Sequence, residues 1–197
     1  RVEIPLDIRS LADFRRWTVS DVFPEKGRID FIEGRIEVDM SPEDIFCHGA
    51  LKSECARVLT RRVKEDDLGL LLIDATRVSC PEADLSCEPD IVFISHEAID
   101  SGRSVLVPKA GGQPGRFVEI EGPADLVVEI VSDTSVNKDT KRLPAAFFRA
   151  GVREFWLADA RGDEPTLVLH RPGEAGFEPI PRDPEGFQTS PVLQRRF

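Results

Sequence analysis

Apolar and polar residues alternate along the chain with two different periods. In residues 28–42, RIDFIEGRIEVDMSP, they alternate one by one around a central Glu-Gly pair, which is typical of a β-hairpin. In residues 43–65, EDIFCHGALKSECARVLTRRVKE, the apolar residues recur with a helical period, which predicts one long amphipathic helix. A shorter helix is predicted over SLADFRRW, residues 10–17, with Ser10 as its N-cap.

Five further apolar runs have the length and the residue types of β-strands. They are GLLLIDATRVSC (69–80), CEPDIVFIS (87–95), DLVVEIVS (125–132), REFWLADA (153–160) and TLVLHR (166–171). Residues 96–116 are rich in glycine and proline and are interpreted as a loop, and residues 137–152 as a helix that Pro144 kinks or delays. DLVVEIVS is apolar on both faces, which is typical of the centre of a sheet. The order of elements predicts an α/β (α+β) domain with a mixed central β-sheet flanked by helices.

The length of 197 residues fits one large domain with a sizeable core. We divide the chain into an N-terminal arm (1–27), a main domain (28–171) and a C-terminal extension (172–197) that packs on the same domain. No apolar run approaches the roughly 18 residues of a membrane helix, and the N-terminus lacks a signal-peptide pattern. We therefore expect a cytoplasmic protein that does not bind membranes.

The formal net charge of −10 argues against a general polyanion binder, because phosphate binding requires clustered lysine and arginine. A local basic patch beside an acidic metal site is still compatible with this charge. The four cysteines include no CxxC pair, so reduced thiols are favoured over a zinc site.

One carboxylate lies inside the most apolar predicted strand. Glu129 is flanked by apolar residues from 126 to 131, and its removal from water costs several kcal/mol unless a partner compensates. Asp90 begins the apolar run DIVFI, so pairing of the two strands would bring Asp90 and Glu129 together at one end of the sheet. Two converging carboxylates either raise a pKa or hold a hard divalent cation such as Mg²⁺. The alternative is that each acid binds an arginine or caps a turn.

Three segments then follow in a familiar order: EPDIVFIS, ADLVVEIVSDTSVNKD and FFRAGVREFWLADARG. Together with RIDFIEGRIEVDMSP and His48, they resemble the Uma-two type of restriction endonucleases of the PD-(D/E)XK nuclease superfamily, from about Ile29 to Arg171. The resemblance implies a restriction endonuclease-like core for residues 28–171. It also implies a metal-dependent endonuclease that hydrolyses phosphodiester bonds of DNA.

The resemblance assigns metal ligands and catalytic residues to particular positions. Asp90 and Glu129 match the two acids of the motif and are expected to bind Mg²⁺, with Mn²⁺ as a substitute, next to the backbone carbonyl of Ile130. The motif lysine position is occupied by Val131. We expect Lys141, on the following helix, to replace the missing lysine, with Lys138 as its alternative.

The remaining site residues are implied more loosely. His48, Lys138 and Arg142 are expected to bind the substrate, and Glu54 to lie at the edge of the site. Asp125 is expected either to lie at that edge or to fix the loop before the strand. The implied partners are the phosphate backbone of DNA and a second copy of the chain in a homodimer. The absent lysine and the acidic net charge also support an alternative, a catalytically inactive nuclease-like domain that serves as a binding or assembly module.

Overall fold

A computed structural model describes residues 2–24, 26–112 and 114–197 of the chain. Residues 1 and 25 of the predicted arm and residue 113 of the predicted loop lie outside the described residues. The described chain contains the α-helices α1 Leu11–Thr18, α2 Leu51–Glu65, α3 His96–Asp100 and α4 Leu143–Ala150. Two π-helical turns, Ile45–Ala50 and Lys138–Arg142, lead directly into α2 and α4, and a 3₁₀ turn spans Pro81–Ala83.

The strands, numbered in chain order, form two six-stranded sheets and a small hairpin. The first sheet has the order β2-β1-β5-β4-β8-β7 and contains β1 Arg28–Ile32, β2 Arg35–Asp39, β4 Arg77–Cys80, β5 Leu85–Cys87, β7 Val105–Pro108 and β8 Phe117–Glu121. The second sheet has the order β12-β11-β10-β9-β6-β3 and contains β3 Gly69–Ile73, β6 Ile91–Ser95, β9 Leu126–Ile130, β10 Glu154–Asp159, β11 Thr166–Pro172 and β12 Phe177–Pro179. The hairpin pairs β13 Thr189–Ser190 with β14 Arg195–Arg196.

Strand β9 lies inside the second sheet and is buried on both faces. It pairs in parallel with β10 and antiparallel with β6, where Ile91 lies opposite Val128. Leu126 and Val128 pack with the apolar face of α2, whereas Val127 packs into the core between the two sheets. Side chains alternate along a strand, so Glu129 lies on the same side as Val127. The predicted position of this strand inside a sheet is confirmed.

The core between the sheets also contains the apolar face of α4. Leu143, Ala146 and Phe147 recur at helical spacing and are buried there together with residues of both sheets. Gly151 ends the helix with a φ of +83°, a left-handed conformation that favours glycine. The chain then continues into β10, which pairs in parallel with β9.

The N-terminal helix α1 packs on the first sheet. Ser10 accepts a hydrogen bond from the backbone N–H of Asp13, which confirms the predicted N-cap. The buried face of α1 and two residues of β1 form a separate apolar cluster, namely Leu11, Phe14, Trp17, Ile29 and Phe31. The division into arm, main domain and extension stays a prediction. Among the described residues, no helix has the length and apolar character needed to cross a bilayer.

The fold class is confirmed as mixed α/β, but the strands are divided between two mixed sheets rather than one. The predicted strand 69–80 is two strands, β3 and β4, which belong to different sheets. Asp74 and Ala75 between them have φ values of +47° and +43°, a left-handed conformation that interrupts a strand. The long predicted helix 43–65 begins instead with a π-helical turn.

The predicted loop 96–116 contains a short helix and a strand. Ser95 caps α3 by accepting a hydrogen bond from the backbone N–H of Ala98. Strand β7 pairs with β8, and its residues Val105, Leu106 and Val107 suit a strand although glycines and prolines surround them. Pro144 lies at the start of α4, directly after the π-helical turn Lys138–Arg142, so the predicted helix is present and its irregular part directly precedes the proline.

Candidate metal centre

Asp90 and Glu129 lie side by side at the end of two paired strands. Asp90 directly precedes β6, and the pairing of Ile91 with Val128 brings it next to Glu129. The backbone N–H of Ile130 donates to Asp90 Oδ2 over 2.8 Å. Both carboxylates are buried, with exposures of 0% and 1%. The sheet therefore brings together the two acids that the sequence singled out.

Glu129 is buried without a hydrogen bond to its carboxylate from any residue that the structure describes. Neither of its carboxylate oxygens has a hydrogen-bond partner among the described residues. Burial, followed by the charges of Asp90 and Asp139, raises the pKa of Glu129 well above its ordinary value. An ionised carboxylate that is buried without a partner destabilises the folded protein. This side chain is therefore suited either to hold a proton or to bind a cation.

Asp90, in contrast, is surrounded by positive groups. Its Oδ1 accepts a hydrogen bond of 2.7 Å from Arg28 Nη2, and Lys52 Nζ lies 3.7 Å from the same oxygen. His48 Nε2 lies 3.4 Å from Oδ2. Burial opposes the ionisation of Asp90, but the contacts with His48 and Arg28 outweigh it and hold the pKa of this carboxyl below its ordinary value. Two neighbouring acids thus have opposite pKa shifts.

A lysine reaches the same cluster from the turn before α4. Lys138 Nζ lies 3.2 Å from Asp30 Oδ2, and the Lys138 side chain is 11% exposed. Asp30 is itself buried in β1 and accepts a hydrogen bond from the backbone N–H of Glu88. Burial disfavours the ammonium, but the charges of Asp30 and Glu129 outweigh it and raise the pKa of Lys138. Lys138 is therefore a largely buried cation that faces the carboxylates.

A further acid, Asp139, is buried one residue later. Its Oδ2 accepts a hydrogen bond from the hydroxyl of Ser135, whereas its Oδ1 has no partner among the described residues. Burial is the main cause that raises the pKa of Asp139 to about 6, and the hydrogen bond from Ser135 opposes it. The site therefore contains several acids in a poorly solvated volume.

His48 and Lys52 belong to an outer group of charges around Asp90. Lys52 Nζ lies 2.6 Å from Glu43 Oε1 and 2.7 Å from Asp74 Oδ1. His48 Nδ1 lies 3.6 Å from Glu43 Oε2. Burial lowers the basicity of His48, but its contact with Asp90 outweighs this and raises the pKa of the imidazole.

The local fold explains why these side chains point inward. The two π-helical turns Ile45–Ala50 and Lys138–Arg142 carry His48 and Lys138. π-Helical turns are rare and occur often at functional sites. Asp44 begins the first turn because its side chain accepts hydrogen bonds from the backbone N–H groups of Phe46 and Cys47. Each turn continues into a regular helix, α2 or α4, and the apolar face of that helix packs on the sheets and fixes the position of the turn.

A cleft of about 530 Å³ opens onto the outer group. Arg28 and His48 line it, and acidic side chains surround them: Asp39, Glu43, Asp44, Asp74, Glu88 and Asp133. Glu129, which is 1% exposed, lies beneath this surface. The cleft therefore leads from solvent to the cations that cover the two central carboxylates.

Comparison with known proteins identifies the family. The sequence model of Uma2, described as "Putative restriction endonuclease", matches residues 11–196. The chain belongs to the Uma2 family. Its fold is similar to a crystal structure described as a putative nuclease belonging to DUF820 from Anabaena variabilis, with a TM-score of 0.68 and 21% sequence identity over 94% of this chain and 90% of that chain. The restriction endonuclease-like fold is thereby confirmed. No curated protein matches the chain.

The two lysines expected as replacements for the missing motif lysine lie in different surroundings. Lys141 is exposed, and the structure describes no contact between it and the carboxylates. Lys138, the alternative, is the lysine that contacts Asp30 beside Glu129. Arg142, expected to bind substrate, forms an ion pair with Glu37 of β2.

Two other expected residues lie outside the cluster. Glu54 is on the exposed surface of α2, where Arg57 Nη2 lies 2.5 Å from its Oε1. Asp125 is at the opposite end of β9 and accepts hydrogen bonds from the backbone N–H of Ser95 and from Arg103. The hydrogen bonds from Ser95 and the charge of Arg103 lower the pKa of Asp125 against the effect of burial. Asp125 therefore fixes the start of the strand.

Several residues of the site were not anticipated from the sequence. Arg28, Asp30, Glu43 and Lys52 all contact the carboxylates or their partners. One signal was available for Lys52, because it follows His48 by four residues and therefore lies on the same helical face. Asp30 occupies an apolar strand much as Glu129 does, a pattern that equally indicates a buried acid.

Proposed function

We propose that this Uma2 protein is a metal-dependent endonuclease that hydrolyses phosphodiester bonds of DNA. Asp90 and Glu129 would hold the divalent cation, Mg²⁺ or Mn²⁺ in its place. The observation that carries the proposal is Glu129, a carboxylate that is 1% exposed and has two oxygens without hydrogen-bond partners among the described residues. Such a group needs a cation or a proton, and its neighbour Asp90 supplies the second oxygen ligand that Mg²⁺ prefers.

The donor set fits the expected ion. Carboxylate oxygens are hard ligands, and the pair lies where the backbone carbonyl of Ile130 also ends its strand. A divalent cation bound there would act as a Lewis acid toward a phosphate oxygen and toward water. The acids of this chain would hold the ion in a poorly solvated volume, where electrostatic stabilisation of phosphate charge is strong.

Two cationic side chains would act on the substrate directly. Lys138 faces Glu129 and Asp30, and we assign it, in place of Lys141, the stabilisation of negative charge that develops on the phosphate. Arg28 lines the cleft and is 21% exposed, so its guanidinium can orient a phosphate that enters from solvent. His48 lines the same cleft and keeps its role as a substrate-contacting residue in this proposal.

A second candidate function is a catalytically inactive module that binds a partner through the same surface. The specific observation in its favour is Arg28, whose hydrogen bond to Asp90 already supplies a positive charge to one of the two acids. The acidic residues around the cleft also repel a polyanion. On this hypothesis Arg28 is the permanent counter-ion, and Glu129 stays protonated.

Cleavage of covalently closed circular DNA tests the proposal, because only an endonuclease can open a closed circle. We expect nicking that requires Mg²⁺ or Mn²⁺ and that is lost in Glu129→Gln and in Asp90→Asn. Glu65→Gln is the matched control, because Glu65 is an exposed acid of α2 paired with Arg61. If no cation supports cleavage of circular or linear DNA, the inactive module is favoured. The cytoplasmic location and the homodimer stay predictions.

A further inference from the structure

His48 has the features of a metal ligand as well as those of a substrate contact. It is 5% exposed, and its Nδ1 has no hydrogen-bond partner among the described residues. A buried imidazole nitrogen without a partner is costly, because burial removes the water that would otherwise bind it. Its other nitrogen, Nε2, faces Asp90 at 3.4 Å. The donor atoms of His48 and Asp90 are therefore close enough to bind one ion together.

Glu43 lies on the side of the imidazole where the partner is missing. Its Oε2 is 3.6 Å from His48 Nδ1, a distance too long for a hydrogen bond. The other oxygen, Oε1, is held by Lys52 Nζ at 2.6 Å. Asp44, next to Glu43, accepts backbone hydrogen bonds at the start of the π-helical turn that carries His48. Lys52 and the turn thus fix Glu43 and His48 relative to each other.

We propose that Glu43, His48 and Asp90 bind a transition-metal ion through mixed nitrogen and oxygen ligands. One donor atom from each of the three residues lies within 4.8 Å of the donors of the other two. The inference rests on the proposed function through Asp90, which both sites share. It adds a class of ion: an imidazole ligand favours transition metals such as Mn²⁺, Fe²⁺, Co²⁺ or Zn²⁺ over Mg²⁺ and Ca²⁺, which prefer oxygen alone.

The surrounding charges set how an ion would enter. Lys52 lies 3.7 Å from Asp90 and Arg28 bonds the same carboxylate, so a cation meets two positive side chains. Glu43 and Asp74 balance Lys52, and Glu43 is half-exposed, with 50% of its side chain accessible. Glu43 is therefore the ligand that can rearrange, whereas His48 and Asp90 are fixed by burial. An ion reaches all three through the cleft that Glu43 and His48 line.

Electron spin-echo spectroscopy of Mn²⁺ added to the full chain tests this proposal, because a coordinated imidazole modulates the echo. The chain has three histidines, so protein labelled with ¹⁵N-histidine shows whether the nitrogen belongs to one of them without any substitution. The double variant His96→Asn/His170→Asn then leaves His48 as the only histidine. We expect the nitrogen modulation to persist there and to disappear in His48→Asn.

Affinity measurements give a second readout. We expect His48→Asn and Glu43→Gln each to weaken Mn²⁺ binding by about 10–100-fold, and His48→Asn to reduce the preference for Mn²⁺ over Mg²⁺. Mn²⁺ that binds without histidine nitrogen modulation in the labelled wild-type protein overturns the inference, as does failure to bind Mn²⁺. The proposed nuclease function is judged separately: modulation without DNA cleavage contradicts that function alone, and cleavage without modulation contradicts this inference alone.

Discussion

The backbone N–H of Ile130 donates to Asp90 Oδ2 over 2.8 Å, across the junction of β6 and β9. This bond holds Asp90 beside Glu129, although Asp90 itself lies before the first residue of its strand. Asp90 also accepts a hydrogen bond from Arg28, so both of its oxygens have partners without a metal. Neither oxygen of Glu129 has a hydrogen-bond partner among the described residues. The contrast between the two acids determines the predictions that follow.

Lys138 is predicted to be the lysine that acts on the substrate. Lys138→Met should lower the rate of DNA cleavage about 10²–10³-fold, the usual effect of removing one preorganised electrostatic donor. Lys141→Met is the matched control, because Lys141 is exposed on the same π-helical turn. Single-turnover rates at saturating Mn²⁺ measure both effects. A large loss in Lys141→Met with little loss in Lys138→Met would restore the original assignment of Lys141.

The stability of the metal-free protein is predicted to fall as pH rises above about 5. The raised pKa values of Glu129 and Asp139 mean that the folded state binds more protons than the unfolded chain above the ordinary carboxyl pKa, so stability decreases as pH increases through that window. His48, whose pKa is also raised, contributes in the same direction. The lowered pKa of Asp90 affects only more acidic conditions.

Glu129→Gln isolates the contribution of this one acid. We expect the variant and the wild type to have similar free energies of unfolding near pH 5 in EDTA, and the variant to be more stable at pH 8 by on the order of 1–3 kcal/mol. Urea denaturation across this pH range gives the comparison. Parallel pH profiles for the two proteins would show that Glu129 is not an uncompensated buried acid.

Arg28 is predicted to compete with a bound cation. Arg28→Gln removes the guanidinium from a buried carboxylate and should destabilise the metal-free protein by about 2–3 kcal/mol. The same change should increase the affinity for Mn²⁺, because Asp90 loses its internal counter-ion. Calorimetric titration measures the affinity, with Arg57→Gln, a surface partner of Glu54, as the control. Weaker Mn²⁺ binding in Arg28→Gln would mean that Arg28 supports the metal site instead.

Asp125 is predicted to be structural although it shares a strand face with Glu129. Asp125→Asn should destabilise the protein by about 1–3 kcal/mol, with or without metal, because it weakens bonds to Ser95 and Arg103. The affinity for Mn²⁺ should not change. Thermal denaturation with and without Mn²⁺ distinguishes this behaviour from that of Glu129→Gln, in which the stabilisation by metal is lost.

The sequence was sufficient to identify the central strand and the pair of acids. The apolar run around Glu129 and the apolar run after Asp90 each indicated a buried strand. Two buried acids on adjacent strands are expected to lie together at one end of the sheet. The resemblance to Uma2 proteins then gave the order of the elements. The family and the fold class could therefore be predicted before any coordinates.

The choice of lysine and the counter-ions could not be predicted in the same way. A π-helical turn accommodates more residues than an α-helical one, so it changes which of Lys138 and Lys141 faces inward, and no local pattern marks such a turn. Arg28 and Lys52 reach Asp90 from other elements, and those contacts exist only after the sheets have packed. The left-handed turn at Asp74 and Ala75 likewise separated one apolar run into two sheets.

The central claim is that Asp90 and Glu129 bind one divalent cation together. Anomalous diffraction from a crystal soaked with Mn²⁺ tests it most directly, with Glu129→Gln crystals soaked in parallel. The account predicts an anomalous peak within coordination distance of both carboxylates in the wild type and the loss of the contact at residue 129 in the variant. A manganese peak away from both carboxylates, or no peak while Arg28 remains bonded to Asp90, would contradict the account.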